Sequence, residues 1–567
     1  MKSTLEHIIP DMKDWPVHKV SERRGEFIQD LNRFTNDRLK DNKLTTEELL
    51  EKTIYLEKIR VKNNPLKVDP ADDKSYWSEL ESETSRAKKS SNSEEEFQKI
   101  LYRIINRYNE EIVGNFKIKT FKFAQKFLTF LFKGLLNPAA GKKHRRMWGN
   151  RSQLKEQLKV VGHVDEFRSL FTKGTVVIVP THFSNLDSIL IGYAIDLVVG
   201  VPTFSYGAGL NLLDNEIVAY FINRLGAYRV DRRKKNPIYL ECLKAMASFS
   251  LQEGVNQIFF PGGTRSRNGK IEEKLKLGLL GSMVEAQRYA TVNNTNNKVY
   301  VIPLVLNYHF VLEAKSLINQ YLRKTGKEKF TRSSNKGKAT QNIFKFIWTL
   351  FRKKSDITLS FGQPMDVFGN RVNIEGQSID KNNEVIDING YFELEGQIQT
   401  VHQREKVYTK LLGEKIVDSF LINNTVLSSH LVAFAAFRIL LASNKELNLY
   451  DVINIPIDNF SIDNKIFENV VNKMQLALKK MEQKGEIRLS MPIALSAQKC
   501  IEDGLLNLGL YHPQKVLKKV NDSTFVSENF RLLYFYHNRL DNYNLEDAVA
   551  WDEILERNIP MQENSIS

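Results

Sequence analysis

Cysteine is nearly absent: the 567-residue chain has two, Cys242 and Cys500, far apart in sequence. That count excludes a disulfide framework and a four-thiolate zinc site, and points to a reducing, cytosolic setting. Long hydrophobic runs are missing too. A bilayer-spanning helix needs about 18–20 consecutive apolar residues. The nearest uncharged stretch, 197–213, is broken by Gly200, Pro202, Gly207 and Gly209, and the next, 426–442, contains His430 and Arg438. The first fifteen residues lack the apolar centre of a secretory signal. The expectation is therefore no transmembrane helix and no signal peptide. His and acidic residues nowhere cluster at metal-ligand spacing, so no metal is expected. No zinc-finger, RNP-type or helix-turn-helix pattern occurs, which argues against a nucleic-acid partner. There is no repeat of fixed period.

What the chain does have is apolar bulk and positive charge. Hydrophobic residues make up 42% and aromatics 10%, enough for a sizeable core. Eighty-two Lys and Arg against 67 Asp and Glu leave a formal charge of +15, which favours an anionic partner without choosing one. The length implies several domains. Residues 1–145 read as charged helices, closing with a Phe- and Lys-rich stretch up to Pro138 and a basic linker. A polar stretch, 85–96, reads as a loop whose end caps the helix that follows. From 150 to 370 short β-rich runs (175–180, 256–261, 298–306 and 356–362) alternate with helical patterns, the signature of an α/β domain with a mainly parallel or mixed sheet. Residues 375–567 return to helix. Loops at strand ends are where such sheets place their chemistry.

Four segments of the α/β region carry chemistry-bearing residues. In the first, a strand ends at Pro180 and is followed by His182 and Asp187. A turn of that length can bring the carboxylate back to the imidazole, fixing its tautomer and stabilising the imidazolium. With an ordinary pKa of about 6.5, such a His suits a general base; the plainer reading is a helix start whose dipole Asp187 serves. The second segment places Arg229, Arg232, Arg233, Lys234 and Lys235 after Gly226, either a phosphate site or a solvated basic loop. In the third, a strand runs into Pro261, Gly262 and Gly263, then Thr264, Arg265, Ser266 and Arg267. Glycines let backbone approach a ligand, and guanidiniums grip phosphate in bidentate fashion. A P-loop is excluded, because five residues separate Gly263 from Gly269 and Ile271 follows Lys270; a basic hairpin-like loop remains the alternative. The fourth is Pro303 at a strand end.

In this order the four resemble the motif blocks of the glycerolipid acyltransferase family, specifically its glycerol-3-phosphate acyltransferase branch. His182 and Asp187 match H-x-x-x-x-D; Gly226 and Arg232 match G-x-x-x-x-x-R; Phe260, Pro261, Gly263, Thr264, Arg265 and Ser266 match F-P-E-G-T-R-S; Pro303 matches the fourth block, and Phe361, Gly362 and Pro364 a closing F-G-x-P. The chain departs at the acidic position of the third block, here Gly262; Glu272 and Glu273 lie just downstream. In the family that carboxylate helps hold the acceptor.

The resemblance implies acyl transfer from a thioester, acyl-CoA or acyl-ACP, to the sn-1 hydroxyl of glycerol 3-phosphate, giving lysophosphatidate for phospholipid synthesis. His182 would be the base and Asp187 its orienter. Arg232, Gly263, Thr264, Arg265, Ser266 and Arg267 would form the substrate site, with no cofactor beyond the acyl co-substrate. No Ser or Cys sits in a nucleophile setting such as G-x-S-x-G, so attack would be direct. The alternatives are a lysophosphatidate or other lysolipid acyltransferase, and a catalytically silent lipid- or carrier-binding protein. A lipid product implies peripheral attachment to the cytoplasmic face of a membrane. Between Arg323 and Lys354 there are eleven Lys and Arg and one acidic residue, Glu328, and Ile343, Phe344, Ile347, Leu350 and Phe351 share one helical face. That segment suits anionic lipid, or an ordinary amphipathic helix packed on the domain. Residues 121–136 are a second candidate, read as core. Basic surface could also dock acidic acyl carrier protein.

Overall fold

The computed structural model describes residues 5–66, 68–135, 158–209, 216–295, 297–325 and 357–552, with side chains 130–135 and 216–219 not described. The basic linker and the amphipathic segment at 343–354 lie outside the described residues.

The β-rich runs assemble into one seven-stranded sheet of β1 (Leu158–Gly162), β2 (Gly174–Pro180), β3 (Ser205–Gly209), β4 (Ala227–Val230), β5 (Gln257–Ile258), β6 (Lys298–Tyr308) and β7 (Ile357–Phe361). Their spatial order is β1-β7-β6-β2-β5-β3-β4. Every neighbouring pair is parallel except β6 and β7. β2 and β6 read as near-continuous apolar runs because both faces are covered, the usual fate of parallel strands; every residue from Val299 to Tyr308 is buried. β5 is shorter than its sequence suggests. Phe259 still donates to the Ile178 carbonyl, but Pro261 has no N–H to continue the ladder and the chain leaves the sheet.

Among the described residues six α-helices precede the sheet: α1 (Pro16–Glu22), α2 (Arg24–Lys40), α3 (Thr46–Asn63), α4 (Asp73–Ala87), α5 (Ser93–Ile112) and α6 (Ile118–Leu135). Thr45 and Glu48 form a reciprocal capping box on α3. The cap expected before α5 is not made: Asn92 forms no side-chain cap, and Glu94, Glu95 and Glu96 face the helix dipole instead. The apolar stripe of α5, Phe97, Ile100, Leu101, Ile104, Ile105, Tyr108 and Ile112, is buried. It joins α2, α3 and α4 in a core completed by Tyr239, Cys242, Ala245 and Met246 of α8 (Pro237–Gln252), where α7 is Asp187–Ala194. Both cysteines are free and buried. The stretch 121–136 reads as core from its sequence, and over the described side chains of α6 that holds only in part. Phe121 and Leu128 pack inward, while Phe123 is 56% exposed and Phe127 38%.

The second, larger core runs without a break from the sheet and α9 (Leu277–Val292) into the C-terminal helices, among them α10 (His402–Ile422), α11 (Ser428–Ala442) and α12 (Phe530–His537). α11 is apolar all round and is buried from Ser428 to Leu440 except at Arg438, as a helix without a polar face must be. Its Arg438 is paired with Asp541 at 3.1 Å and with Glu546. Among the described residues no helix is long and apolar enough to cross a membrane.

Candidate active site

Because β2, β5, β3 and β4 run parallel, their carboxyl ends share one edge of the sheet. The first three motif loops begin there. β2 ends at Pro180, and β6 runs on to Tyr308 beyond the paired positions Val179–Pro303 and Pro180–Leu304. The overshoot lets Tyr308 reach the turn that follows β2.

That turn folds around one carboxylate. Asp187, fully buried, accepts from His182 Nδ1 at 2.7 Å, Phe183 N at 2.7 Å and Ser184 N at 3.0 Å through Oδ2, and from Tyr308 Oη at 2.6 Å through Oδ1. With Nδ1–H donating to the carboxylate, Nε2 keeps the lone pair that a base needs, and it has no hydrogen-bond partner among the described residues. The imidazole stacks on Phe260, ring centroids 4.1 Å apart, and stays 17% exposed. The pair is therefore local in sequence, supported from β6 and open to a reactant.

The third-block loop is tied to the same turn. Ser266 N donates to the His182 carbonyl at 2.7 Å, and His182 N donates to Glu272 Oε1 at 3.0 Å. A Cβ placed on Gly262 would lie 3.1 Å from Glu272 Cγ and 3.2 Å from its Oε1. The space left by the missing side chain at 262 thus holds a carboxylate from ten residues downstream. Glu273 does not share it, bonding instead to Asn542 at 3.0 Å. Burial pushes the Glu272 carboxyl up to about 7, with Asp187 adding to the effect and the His182 N–H and Arg539 opposing it. Its Oε2 is buried without a partner among the described residues.

The basic residues divide by role. Arg233 is pinned to Asp231 and Asp69, and Lys234 to Glu111, anchoring the second loop to the N-terminal helices. Arg232 is left over. Partial burial and repulsion from Arg265 and Arg267 hold its guanidinium below the ordinary value, so the three cations converge. Arg265 also bonds Glu313 at 3.0 Å, whose two oxygens hold Asn185 N and Ser184 Oγ, each at 3.0 Å. Arg232 and Arg267 have no counter-charge among the described residues. Ser266 Oγ donates to the Lys270 carbonyl at 2.8 Å, within its own loop. Gly263, at φ +70°, turns its N–H back to the Phe260 carbonyl and lies under Lys276, whose Nζ would be 2.8 Å from a Cβ there. Thr264, between these two anchors, is partly buried.

Sequence patterning did not find Glu313, Tyr308, Lys276 or Arg539. None sits in a motif, and each arrives from a different part of the chain. Among the described residues no group of three His, Cys, Asp or Glu could hold a metal ion.

Comparison with known proteins finds similarity over the same α/β region. Residues 155–307 match the family model described as Acyltransferase. Curated relatives named glycerol-3-phosphate acyltransferase include one from Xylella fastidiosa (strain M23), 25% identical over 233 residues, covering 39% of this chain and 25% of the relative. One from Alteromonas mediterranea is 29% identical over 162 residues, covering 28% and 19%. One from Pseudomonas putida (strain W619) is 24% identical over 210 residues, covering 37% and 23%. The alignments thus span a quarter or less of the length of these relatives. Over its α/β domain the chain is thus similar to the Acyltransferase family, and the curated relatives it matches there carry the name glycerol-3-phosphate acyltransferase.

Proposed function

We propose that the protein transfers a fatty acyl group from an acyl thioester, on coenzyme A or acyl carrier protein, to the sn-1 hydroxyl of glycerol 3-phosphate, with His182 as general base. The observation that carries the proposal is the 2.7 Å His182–Asp187 contact beside three converging arginines. Arg232 and Arg267, together with Arg265, suit the acceptor phosphate through charge-assisted bonds. The acceptor hydroxyl gives its proton to His182 Nε2 as its oxygen attacks the thioester carbonyl, and Asp187 steadies the imidazolium. Collapse of the tetrahedral intermediate breaks the carbon–sulfur bond, and the departing thiolate takes the proton back. The products are the acyl ester and the free thiol, and no cofactor enters the balance.

The membrane enters through the acyl chain. Exposed Phe123, Phe127 and Tyr220 lie beside exposed Lys119, Lys122 and Lys126, with Phe123 stacked on Phe127 and Phe221. Aromatic rings rimmed by lysines suit an anionic lipid surface, which supports peripheral attachment.

The test is radiolabelled glycerol 3-phosphate and acyl thioester presented with vesicles to the wild type and to His182→Ala. Transfer by the wild type and none by the folded variant is expected. Near wild-type transfer by the variant would reject the mechanism. Transfer to lysophosphatidate but not to glycerol 3-phosphate would move the protein to the lysolipid acyltransferases, and binding without transfer would make it a silent lipid-binding protein.

A further inference from the structure

Arg539 is a buried cation near the site, and none of the motif blocks accounts for it. It lies in the 3-10 turn Asn538–Tyr543 after α12, far beyond the segment that matches the family model. It is 5% exposed. Nη2 donates to the Leu306 carbonyl at 2.7 Å and to Asn307 Oδ1 at 2.5 Å, on β6 just before Tyr308. The guanidinium lies 4.0 Å over the ring of Phe183, in the His182 turn. No carboxylate is bonded to it among the described residues, so its charge acts through space.

The groups that face it are Asp187, Glu272, Tyr308 and Tyr543, each of which favours its charged form, and His430 of α11, whose imidazole burial and Arg539 together keep neutral. Two of the five are the buried carboxylates beside His182. A buried charge left uncompensated is costly, and Asp187 is balanced otherwise only by hydrogen bonds and by whatever charge His182 carries. The surrounding segment is fastened to the same loops. Asn538 donates to the Asn268 carbonyl at 2.8 Å, and Lys270 pairs with Asp541. Gly269, at φ +87°, lies against the Phe535 carbonyl.

We propose that Arg539 is a positioning residue of the acyl-transfer site: its buried guanidinium, supplied by the C-terminal region, seats the His182 turn against β6 and offsets the buried negative charge of Asp187. The inference rests on His182 acting as the base. It follows that the acyltransferase domain is catalytically complete only with its C-terminal region in place. Removing the positive charge leaves the buried carboxylate of Asp187 unopposed, which favours the imidazolium, so the base becomes available only at higher pH.

The test pairs Arg539→Met, which keeps volume and loses charge, with Arg539→Lys, which keeps charge and loses the fork. In Arg539→Met the acid limb of the kcat/KM profile should move up by about one pH unit, the size expected for loss of one nearby buried charge, and kcat at pH 7 should fall about tenfold. In Arg539→Lys the limb should stay in place while kcat falls severalfold. The imidazole resonance of His182, followed by NMR across the same pH range, should show the same displacement without any turnover. If Arg539→Met does not fold, Arg539→Met combined with Glu272→Gln removes one cation and one carboxylate together, and Asp187 alone should still displace the limb upward. Superimposed limbs in wild type and Arg539→Met, or equal displacement in the Lys and Met variants, would overturn the proposal. A wild type that transfers no acyl group would instead defeat the functional reading, while the imidazole titration would still report on Arg539.

Discussion

Replacing Glu272 with Gln gives a prediction that needs no substrate. The folded protein holds this carboxyl's proton up to about pH 7, because burial disfavours the carboxylate; in the unfolded chain the proton leaves near the ordinary value of 4.5. Between those two pH values the folded state carries more of the proton than the unfolded state. Wild-type stability must therefore fall as pH rises through that window. The gap, at about 1.36 kcal/mol per pH unit, comes to about 3 kcal/mol at full extent and about 2–3 kcal/mol between pH 5 and pH 8. Gln keeps an oxygen for the His182 N–H and does not titrate, so the advantage of the variant should grow by that amount across the range. Arg539, Asp187 and His182 are present in both proteins, which leaves Glu272 as the difference. For a chain of this length, at about 2.1 cal/mol/K of unfolding entropy per residue, 2–3 kcal/mol is a rise of about 2 °C in Tm relative to wild type. The assay is urea unfolding and thermal melting of both proteins side by side at pH 5, 6, 7 and 8. Parallel curves would show that the carboxyl titrates alike in both states. An advantage that shrinks with pH would show that the fold stabilises the ionised form, and the account of the space beside Gly262 would be wrong.

Asp187→Asn should preserve the fold yet lower kcat by about 10³–10⁴, because the amide cannot hold the imidazole in the required tautomer; a loss under tenfold, measured in the acyl-transfer assay, would remove Asp187 from the mechanism. Phe123→Glu combined with Phe127→Glu should cut sedimentation with anionic vesicles at least tenfold while leaving turnover of a water-soluble short-chain thioester intact, and unchanged sedimentation would locate the lipid-binding face elsewhere. Gly269→Ala forces a side chain into a positive-φ position against backbone at Phe535, so it should cost about 1–3 kcal/mol in unfolding experiments and loosen the C-terminal segment from its loop, seen as faster amide exchange around 535–543.

Legibility in the sequence followed distance along the chain. His182 and Asp187 meet because a turn of four intervening residues brings them together, and β2 and β6 announce themselves as apolar runs buried on both faces. The convergence of Arg232 with Arg265 and Arg267 could be anticipated, since parallel strands deliver their following loops to one edge. Glu313, Tyr308 and Arg539 could not: each is an unremarkable residue whose role comes from packing between elements far apart in sequence. The basic loop after Gly226 shows the same limit. Its five cations look equivalent as letters, yet Arg233 and Lys234 are committed to Asp69 and Glu111, and only the partners reveal it. Glu272 was nameable as a stand-in for position 262, but the fold was needed to choose it over Glu273. α6 was misjudged in part because its phenylalanines recur too densely for one face to bury them all.

The ion pairs that fasten Arg233 and Lys234 to the N-terminal helices have a consequence for the residue between them and the strand. Arg232 sits on a segment whose shape is dictated by the N-terminal region more than a hundred residues earlier, so on the proposed function its guanidinium is placed before any phosphate arrives. A free loop would surrender conformational freedom on each binding event; this one surrendered it during folding. Loosening Asp69 or Glu111 would therefore weaken acceptor capture from a distance, with every group that touches the acceptor still present.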